Sequence, residues 1–350
     1  MHQKSKWISL GVIMVFSVFF SSGCSQEDPE IKNLIAKNVE AVGGEEKLAE
    51  IKNYSFKLGE QTVYLSSTGL MKLTSGKDPV VTEAILASAK GATRNCFNII
   101  SDYEGFDKAT YQALAKIRSA FFTLSSYKDQ LEYHGLKKFG PKNLHMLTAK
   151  EGELDVEFYI DSEDLLTKRI VFSGFSDETG KYEVNHDFVS FQEVEGIKIP
   201  ESWFASQVGT RGNLNQVTDV KINVDLSDDF FRSSDVNVGE VEMSEGRLKG
   251  NVVDFGRMRG NRFQISTNWT NDCIQNAGFQ AGDKLTLDVA GIHIELDFYD
   301  QQPPRSAYSS GALLIPNRQS ENFIVYILTS EYGDFSEKLE PLMPIQVAKK

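Results

Sequence analysis

The chain has 350 residues, and at roughly 150 residues per domain this length predicts two domains. Its 41% hydrophobic and 25% charged residues are typical of a globular protein and exclude a wholly disordered or collagen-like chain. The formal net charge of −12 argues against the basic face that nucleic-acid binding needs, so we expect no nucleic-acid partner. Three cysteines are too few for a disulfide-framed scaffold.

The first residues predict export. Lys4 and Lys6 precede an apolar stretch from Trp7 to Phe20. As a helix with a rise of 1.5 Å per residue, this stretch would reach about 21 Å, which is short of the roughly 30 Å hydrocarbon core of a bilayer. The basic start and the short apolar run are typical of a secretory signal peptide.

Small residues come directly before Cys24, in a run that starts at Ser21. This run resembles the lipobox of bacterial lipoproteins, although that family usually has leucine where Ser21 stands. The resemblance implies a signal peptide over 1–23, a lipid on Cys24 and a tether over 24–30. It also implies an outer-membrane lipoprotein facing the periplasm, because a serine rather than an aspartate follows the cysteine. The alternative is an ordinary signal peptide with an incidental cysteine.

The spacing between apolar residues changes along the first folded region. Apolar residues three and four positions apart predict helices over 31–50 and again between about 79 and 125. Alternating side chains predict a short β-meander over about 54–73 and a long antiparallel run over 130–224. This order of elements predicts an α+β fold rather than the alternation that makes a parallel sheet.

Short motifs in this region are similar to those of a known family. The motifs are Ala41-Val42-Gly43-Gly44, Phe158-Tyr159-Ile160-Asp161 and Gly196-Ile197-Lys198-Ile199-Pro200. They resemble the opening, a strand–turn–strand and a later strand of domains related to the outer-membrane lipoprotein carriers, over roughly 31–230. The resemblance implies a domain over 31–231 that forms an incomplete antiparallel β-barrel with packed helices, whose apolar concavity holds acyl chains.

The inward face of that half-barrel is the candidate site for a lipid or acyl ligand. Alternation places side chains two residues apart on one face of a strand, and the candidates are Tyr54, Phe56, Leu58, Phe158, Ile160, Ile170 and Phe172. Dry apolar walls suit an apolar ligand. The same residues fit a packed core equally well, with the apolar helix predicted around Tyr111 to Phe122 filling the space.

Residues 236–350 are predicted to form a second, all-β domain, a small barrel or sandwich, after a polar junction at 232–235. Val253-Asp254-Phe255-Gly256 and Ser309-Ser310-Gly311-Ala312 resemble segments of the C-terminal barrel of S-adenosylmethionine hydroxide adenosyltransferases. The catalytic N-terminal domain of that family has no counterpart in 31–230. The resemblance therefore implies a fold and at most half of a site.

No catalytic or metal-binding motif stands out, so we expect no catalytic residue, no cofactor and no metal. Cys96 and Cys273 are the thiols that remain once Cys24 is acylated. An oxidising compartment permits a disulfide between them, but the sequence does not show that they lie within bonding distance.

The sequence thus predicts an exported protein, attached to the membrane through an N-terminal lipid, with a non-enzymatic role. The predicted role is the binding of an apolar ligand or of an envelope partner that the sequence does not identify. Two alternatives stay open. One is an enzyme acting on an envelope or nucleoside-type substrate, and the other is a structural or assembly lipoprotein.

The lipidation of Cys24 is directly testable. The Cys24→Ser variant should accumulate as an uncleaved precursor and take up no labelled fatty acid, because the acylated thiol is gone. Metabolic labelling of Cys273→Ser, which should match the unchanged chain, is the control. Equal labelling of the Cys24→Ser chain would contradict the prediction.

Overall fold

The computed structural model describes residues 29–76, 80–97, 99–176, 180–207, 210, 212–227, 229–232, 235–258, 262–309, 311–316, 322–328 and 336–350. Within them the chain is mostly β, with few helices, and forms two sheets. The predicted signal peptide, Cys24 and most of the predicted tether lie outside these residues. No helix in the described ranges combines the length and the apolar character needed to cross a bilayer.

The helices of the described chain are short. They are α1 (Pro29–Val42), α2 (Glu45–Glu50), α3 (Gly105–Ser119) and α4 (Asn271–Asn276), with 3-10 helices at Leu124–Tyr127, Arg305–Ser309 and Ser336–Lys338. Helix α1 thus begins within the predicted tether, where a proline is well placed because the first helical N–H groups have no partner in the helix. Gly44 separates α1 from α2 with φ of 87°, a conformation that glycine adopts without steric cost.

The first sheet has 13 strands, all paired antiparallel. Its strands are β1 (Asn53–Leu58), β2 (Gln61–Ser66), β3 (Met71–Ser75), β4 (Glu83–Ser88), β5 (Gly91–Cys96), β6 (Ile99–Asp102), β7 (Glu132–Phe139), β8 (Lys142–Glu151), β9 (Leu154–Asp161), β10 (Thr167–Ser176), β11 (Gly180–Val194), β12 (Ile197–Gln207) and β13 (Asn213–Ile222). Strands β1–β6 form one arm and β7–β13 the other. The arms join where β1 pairs with β13, with Tyr54 opposite Ile222.

Helix α3 lies inside the curl of this sheet. It contacts β2, β4 and β5 of one arm and β8, β9 and β10 of the other. Its buried residues include Ala109, Ala113 and Ala115, and such small side chains let a helix approach a sheet closely. The arrangement is the one that the carrier-like resemblance implied, a large antiparallel sheet wrapped around helices.

The second sheet closes into a barrel of seven strands. Its strands are β14 (Glu242–Ser244), β15 (Arg247–Met258), β16 (Arg262–Thr270), β17 (Lys284–Val289), β18 (Ile292–Phe298), β19 (Ala312–Pro316), β20 (Asn322–Leu328) and β21 (Pro344–Lys349). Closure comes from β21, which pairs with both β15 and β17, while β14 lies outside the ring as an extra strand on β15. Trp269, Phe298 and Val347 are among the fully buried side chains that fill its interior.

The helical prediction between 79 and 125 is wrong for its first part. Residues 83–102 form the strands β4, β5 and β6, and the helix begins only at Gly105. The reason lies in β4, where Ala84 and Ile85 are both buried although they point to opposite faces. A strand buried on both faces loses its alternation, so a short apolar run of this kind cannot be told from a helix by period.

The two sheets meet in a small cluster of buried residues, formed by Val80, Val238 and Val253. Before that contact the chain crosses the outer face of the first sheet, where Lys72 Nζ lies 4.4 Å from the ring centroid of Phe230 and donates to its carbonyl oxygen. The predicted junction at 232–235 lies between these two attachments.

We expect limited trypsin digestion to cut first after Arg232, because this residue is exposed and lies between the two packed units. Mass spectrometry of the first fragments should show one ending at Arg232. Early cleavage within 180–207 instead would contradict the junction. Arg232→Gln is the control, since it removes the cutting site without touching either core.

Candidate functional site

The end of α3 sends two aromatic side chains toward opposite arms of the first sheet. The helix stops at Ser119, and Phe121 and Phe122 follow with φ of 53° and 60°. Positive φ is rare and costly for bulky residues, and it persists only where the surroundings enforce it. Here both rings are buried, Phe121 stacked 4.6 Å from Tyr54 of β1 and Phe122 at 5.3 Å from Phe188 of β11.

Helix α1 is tied to this same region by Asn38, which is fully buried. Its Nδ2 donates to the carbonyl oxygen of Leu165 at 2.7 Å, and its Oδ1 accepts from the backbone N–H of Leu124 at 2.8 Å. Thr167 adds a third tie by donating to the carbonyl oxygen of Phe122 at 2.7 Å. The residues after α3 are thus held from two directions.

The predicted ligand-facing residues form one inner surface, which lies within the packed core of the first unit. Six of them are at most 2% exposed, namely Tyr54, Phe56, Phe158, Ile160, Ile170 and Phe172, while Leu58 is half-buried. Their neighbours are helical side chains as well as other strands. Phe158 lies 5.4 Å from Tyr127 of the 3-10 helix, and Tyr54 lies against Phe121.

An opening of about 450 Å³ lies at the surface of the first unit and is lined by Phe121. It lies between α2, the turn between β2 and β3, and the end of α3. Phe121 lines the opening, and its ring packs on Tyr54 in the core, so this side chain connects the wall of the opening to the inner surface. Ser119 lines it too, and its buried Oγ has no partner among the described residues.

A charged side chain lies in the interior next to this opening. Arg118 is only 6% exposed, and burial lowers the pKa of its guanidinium to about 10. Burial first, and then the charge of Arg118, lower the pKa of His186 on β11 to about 3, so the imidazole is neutral at physiological pH. The hydroxyl of Tyr54 donates to the backbone carbonyl of Arg118, and burial raises the pKa of this phenol.

A second cavity, of about 350 Å³, lies on the outer face of the first sheet. Lys57 and Lys221 both contact Asp219 there, at 3.4 and 3.3 Å. These groups are exposed and satisfy one another, and exposed ion pairs of this kind contribute little. The cavity therefore offers only solvated charges that are already paired, and we assign it no binding or catalytic role.

The remaining candidates do not converge. Cys96 on β5 and Cys273 in α4 are both free thiols, each in a different sheet unit. His134 pairs with Thr148, and His145 pairs with Tyr133. Across the described ranges, no three metal-ligating side chains come together in a way that would hold an ion.

Sequence reasoning missed Arg118 as a site residue. A basic residue in the last turn of an amphipathic helix is expected to face solvent, where it offsets the helix dipole. Nothing in the local pattern marks this one as buried, because the residues around it, among them Phe56 and Met71, are distant in the sequence.

No family model matches the chain, and no curated protein matches it either. Solved structures give distant likenesses. One is a DUF1329 family protein from Desulfovibrio piger ATCC 29098, with 11% identity and a TM-score of 0.35, over 57% of this chain and 96% of that one. Another is the LolA superfamily protein NE2245 from Nitrosomonas europaea, with 9% identity and a TM-score of 0.36, over 57% of this chain and 96% of that one.

A third likeness is an uncharacterized conserved protein from Thermotoga maritima. It shares 14% identity with a TM-score of 0.25, over 32% of this chain and 40% of that one. With all three TM-scores this low, the function has to follow from the geometry of the chain itself.

The role of Asn38 is testable by substitution. Asn38→Ala should lower the free energy of unfolding by roughly 2–4 kcal/mol, because a buried N–H and a buried carbonyl lose their partners. Urea unfolding followed through Trp203, which lies in the same core, measures this loss. The exposed Asn213→Ala is the matched control and should change stability by less than about 0.5 kcal/mol. Equal stabilities of the two variants would contradict this role.

Proposed function

We propose that this chain is a lipid-anchored envelope protein whose first sheet binds an apolar ligand with an acyl chain. The opening beside Phe121 supports the proposal most directly. Phe121 lines it, and the ring of Phe121 packs on Tyr54 of the aromatic inner surface, so displacement of that ring would let an apolar chain reach this surface. An envelope location follows from the predicted export signal and from lipidation at Cys24.

The ligand enters by displacing the ring of Phe121. Exposing a side chain of this kind costs about 1.5–3 kcal/mol, whereas burying ten methylenes contributes roughly 8 kcal/mol before the cost of association. The positive φ of Phe121 makes this residue the natural point of movement, because leaving that conformation relieves backbone strain. The balance therefore favours entry of a long chain over a short one.

The second barrel takes no part in binding under this proposal. Its interior is filled by its own side chains, and it attaches to the first unit through the cluster at Val80 and Val238. No observation in the described part of the chain favours the enzymatic alternative. A structural lipoprotein is what remains if no ligand binds.

Filling the opening tests the proposal. Ala120→Trp places a large ring in the opening and should weaken binding of a fluorescent fatty acyl probe about tenfold, the equivalent of excluding two methylenes. Titration of the full chain with the probe measures the dissociation constant.

The matched control is Ala89→Trp, an exposed position in the turn between β4 and β5. It makes the same substitution away from the opening and should leave binding unchanged. If the unchanged protein binds no acyl probe and purifies without lipid, the ligand-binding proposal fails. Equal loss in the two tryptophan variants would place the site elsewhere.

A further inference from the structure

Arg118 lies in the interior of the first unit, between the two arms of the sheet. Its guanidinium carbon is 6.0 Å from the ring centroid of Phe56 on β1, and its Nη1 is 3.9 Å from Sδ of Met71 on β3. On the other side its charge is near enough to His186 on β11 to affect that imidazole. The side chain is therefore enclosed by both arms.

This guanidinium has no anion to balance it within the described residues. A guanidinium carries five N–H donors, yet its hydrogen-bond contact here is with the weak sulfur acceptor of Met71, and the buried Nε has no partner. None of the ion pairs formed by described residues includes Arg118. Burying a charge in this way is costly unless an anion joins it.

The opening reaches the same turn of α3. Ser119, the next residue, lines the opening, and its buried hydroxyl has no partner among the described residues. Phe121, three residues after Arg118, also lines the opening, and its ring packs on Tyr54. A ligand that enters past Phe121 thus arrives where an unbalanced cation lies among aromatic rings.

We propose that Arg118 binds the anionic head of the ligand, which makes the ligand class an acyl chain that ends in a carboxylate or a phosphate. This inference rests on the proposed function and specifies its ligand. The planar guanidinium fork matches the two oxygens of such a head, and a charge-assisted pair in a dry site is strong. His186, whose ring lies 5.6 Å from that of Phe172, is neutral at physiological pH and adds no second charge there.

A purely structural Arg118 would behave differently. If the guanidinium is only held between Phe56 and Met71, then replacing it should leave any preference for a charged over a neutral head unchanged. The discrimination between an acid and its ester is therefore the property that separates the two roles.

The experiment compares palmitate with methyl palmitate, which has the same chain without the charge. Each displaces a fluorescent acyl probe from the full chain, and lysophosphatidate is measured alongside. The unchanged protein should bind palmitate at least about tenfold more tightly than the ester, as expected for a charge-assisted hydrogen bond. Arg118→Met should lose this preference while its affinity for the ester is kept.

Two further variants keep the result interpretable. Lys90→Met removes an exposed cation from the turn between β4 and β5 and should preserve the preference. Arg118→Lys retains the positive charge and should keep part of the preference for palmitate over its ester. This variant also provides a test if Arg118→Met does not fold. Tighter binding of palmitate than of lysophosphatidate supports a carboxylate head, and the reverse order supports a phosphate.

The results that would contradict the assignment of Arg118 differ from those that would contradict the proposed function. If the unchanged protein binds acid and ester equally, or if Arg118→Met keeps the preference, the assignment of Arg118 is overturned while the apolar site stands. If neither palmitate nor its ester binds, the proposed function itself is overturned, and the assignment of Arg118 with it.

Discussion

The packing of α3 inside the curl of the first sheet is the contact on which the rest of that unit depends. An antiparallel sheet of 13 strands twists too strongly to lie flat, and its apolar face needs cover. Helix α3 provides that cover, because it contacts both arms and presents small alanines to them. This placement covers the inner faces of the strands that α3 contacts, among them β2 and β10.

The two sheets cover their apolar faces in different ways. The second sheet covers its apolar face by closing on itself through β21, and side chains fill the ring. The first sheet instead closes on a helix, and the end of that helix leaves an opening beside Phe121. The interior of a closed seven-stranded barrel is filled by its own side chains, whereas a sheet wrapped around a helix can leave an opening where the helix ends. This difference explains why the candidate site lies in the first unit.

The sequence predicted the elements whose alternation survives folding. Several strands between 130 and 224 keep an alternation of buried and more exposed residues, as in β9, where Phe158 is buried and Glu157 is not. Strand β4 was missed because Ala84 and Ile85 are buried on opposite faces. Helix α4 was missed although Thr270 caps it by accepting from the N–H of Cys273, a signal that was present in the sequence.

The candidate site was predictable only in part. The inner face could be predicted from alternation, and Tyr54 and Phe56 do share it. The opening could not, since it depends on how α2 and the end of α3 meet. Arg118 could not either, because its burial results from a long-range packing event rather than from a local pattern. The spacing of apolar residues thus predicts which face of a strand is buried, whereas the burial of a charged side chain is visible only in the tertiary fold.

The pairing of β1 with β13 has a consequence for the order of folding. Tyr54 lies opposite Ile222, and Asn38 needs both Leu124 and Leu165 as partners. One edge of β1, which pairs with β2 on its other side, therefore has no permanent neighbour until almost the whole unit has been made, and contacts of such long sequence separation form slowly. Until then β1 presents a free edge that invites pairing with other chains. If a chain crosses a membrane before it folds, the slow formation of these contacts keeps it unfolded long enough for export. After export, the free edge of β1 must then be shielded from other chains until β13 pairs with it.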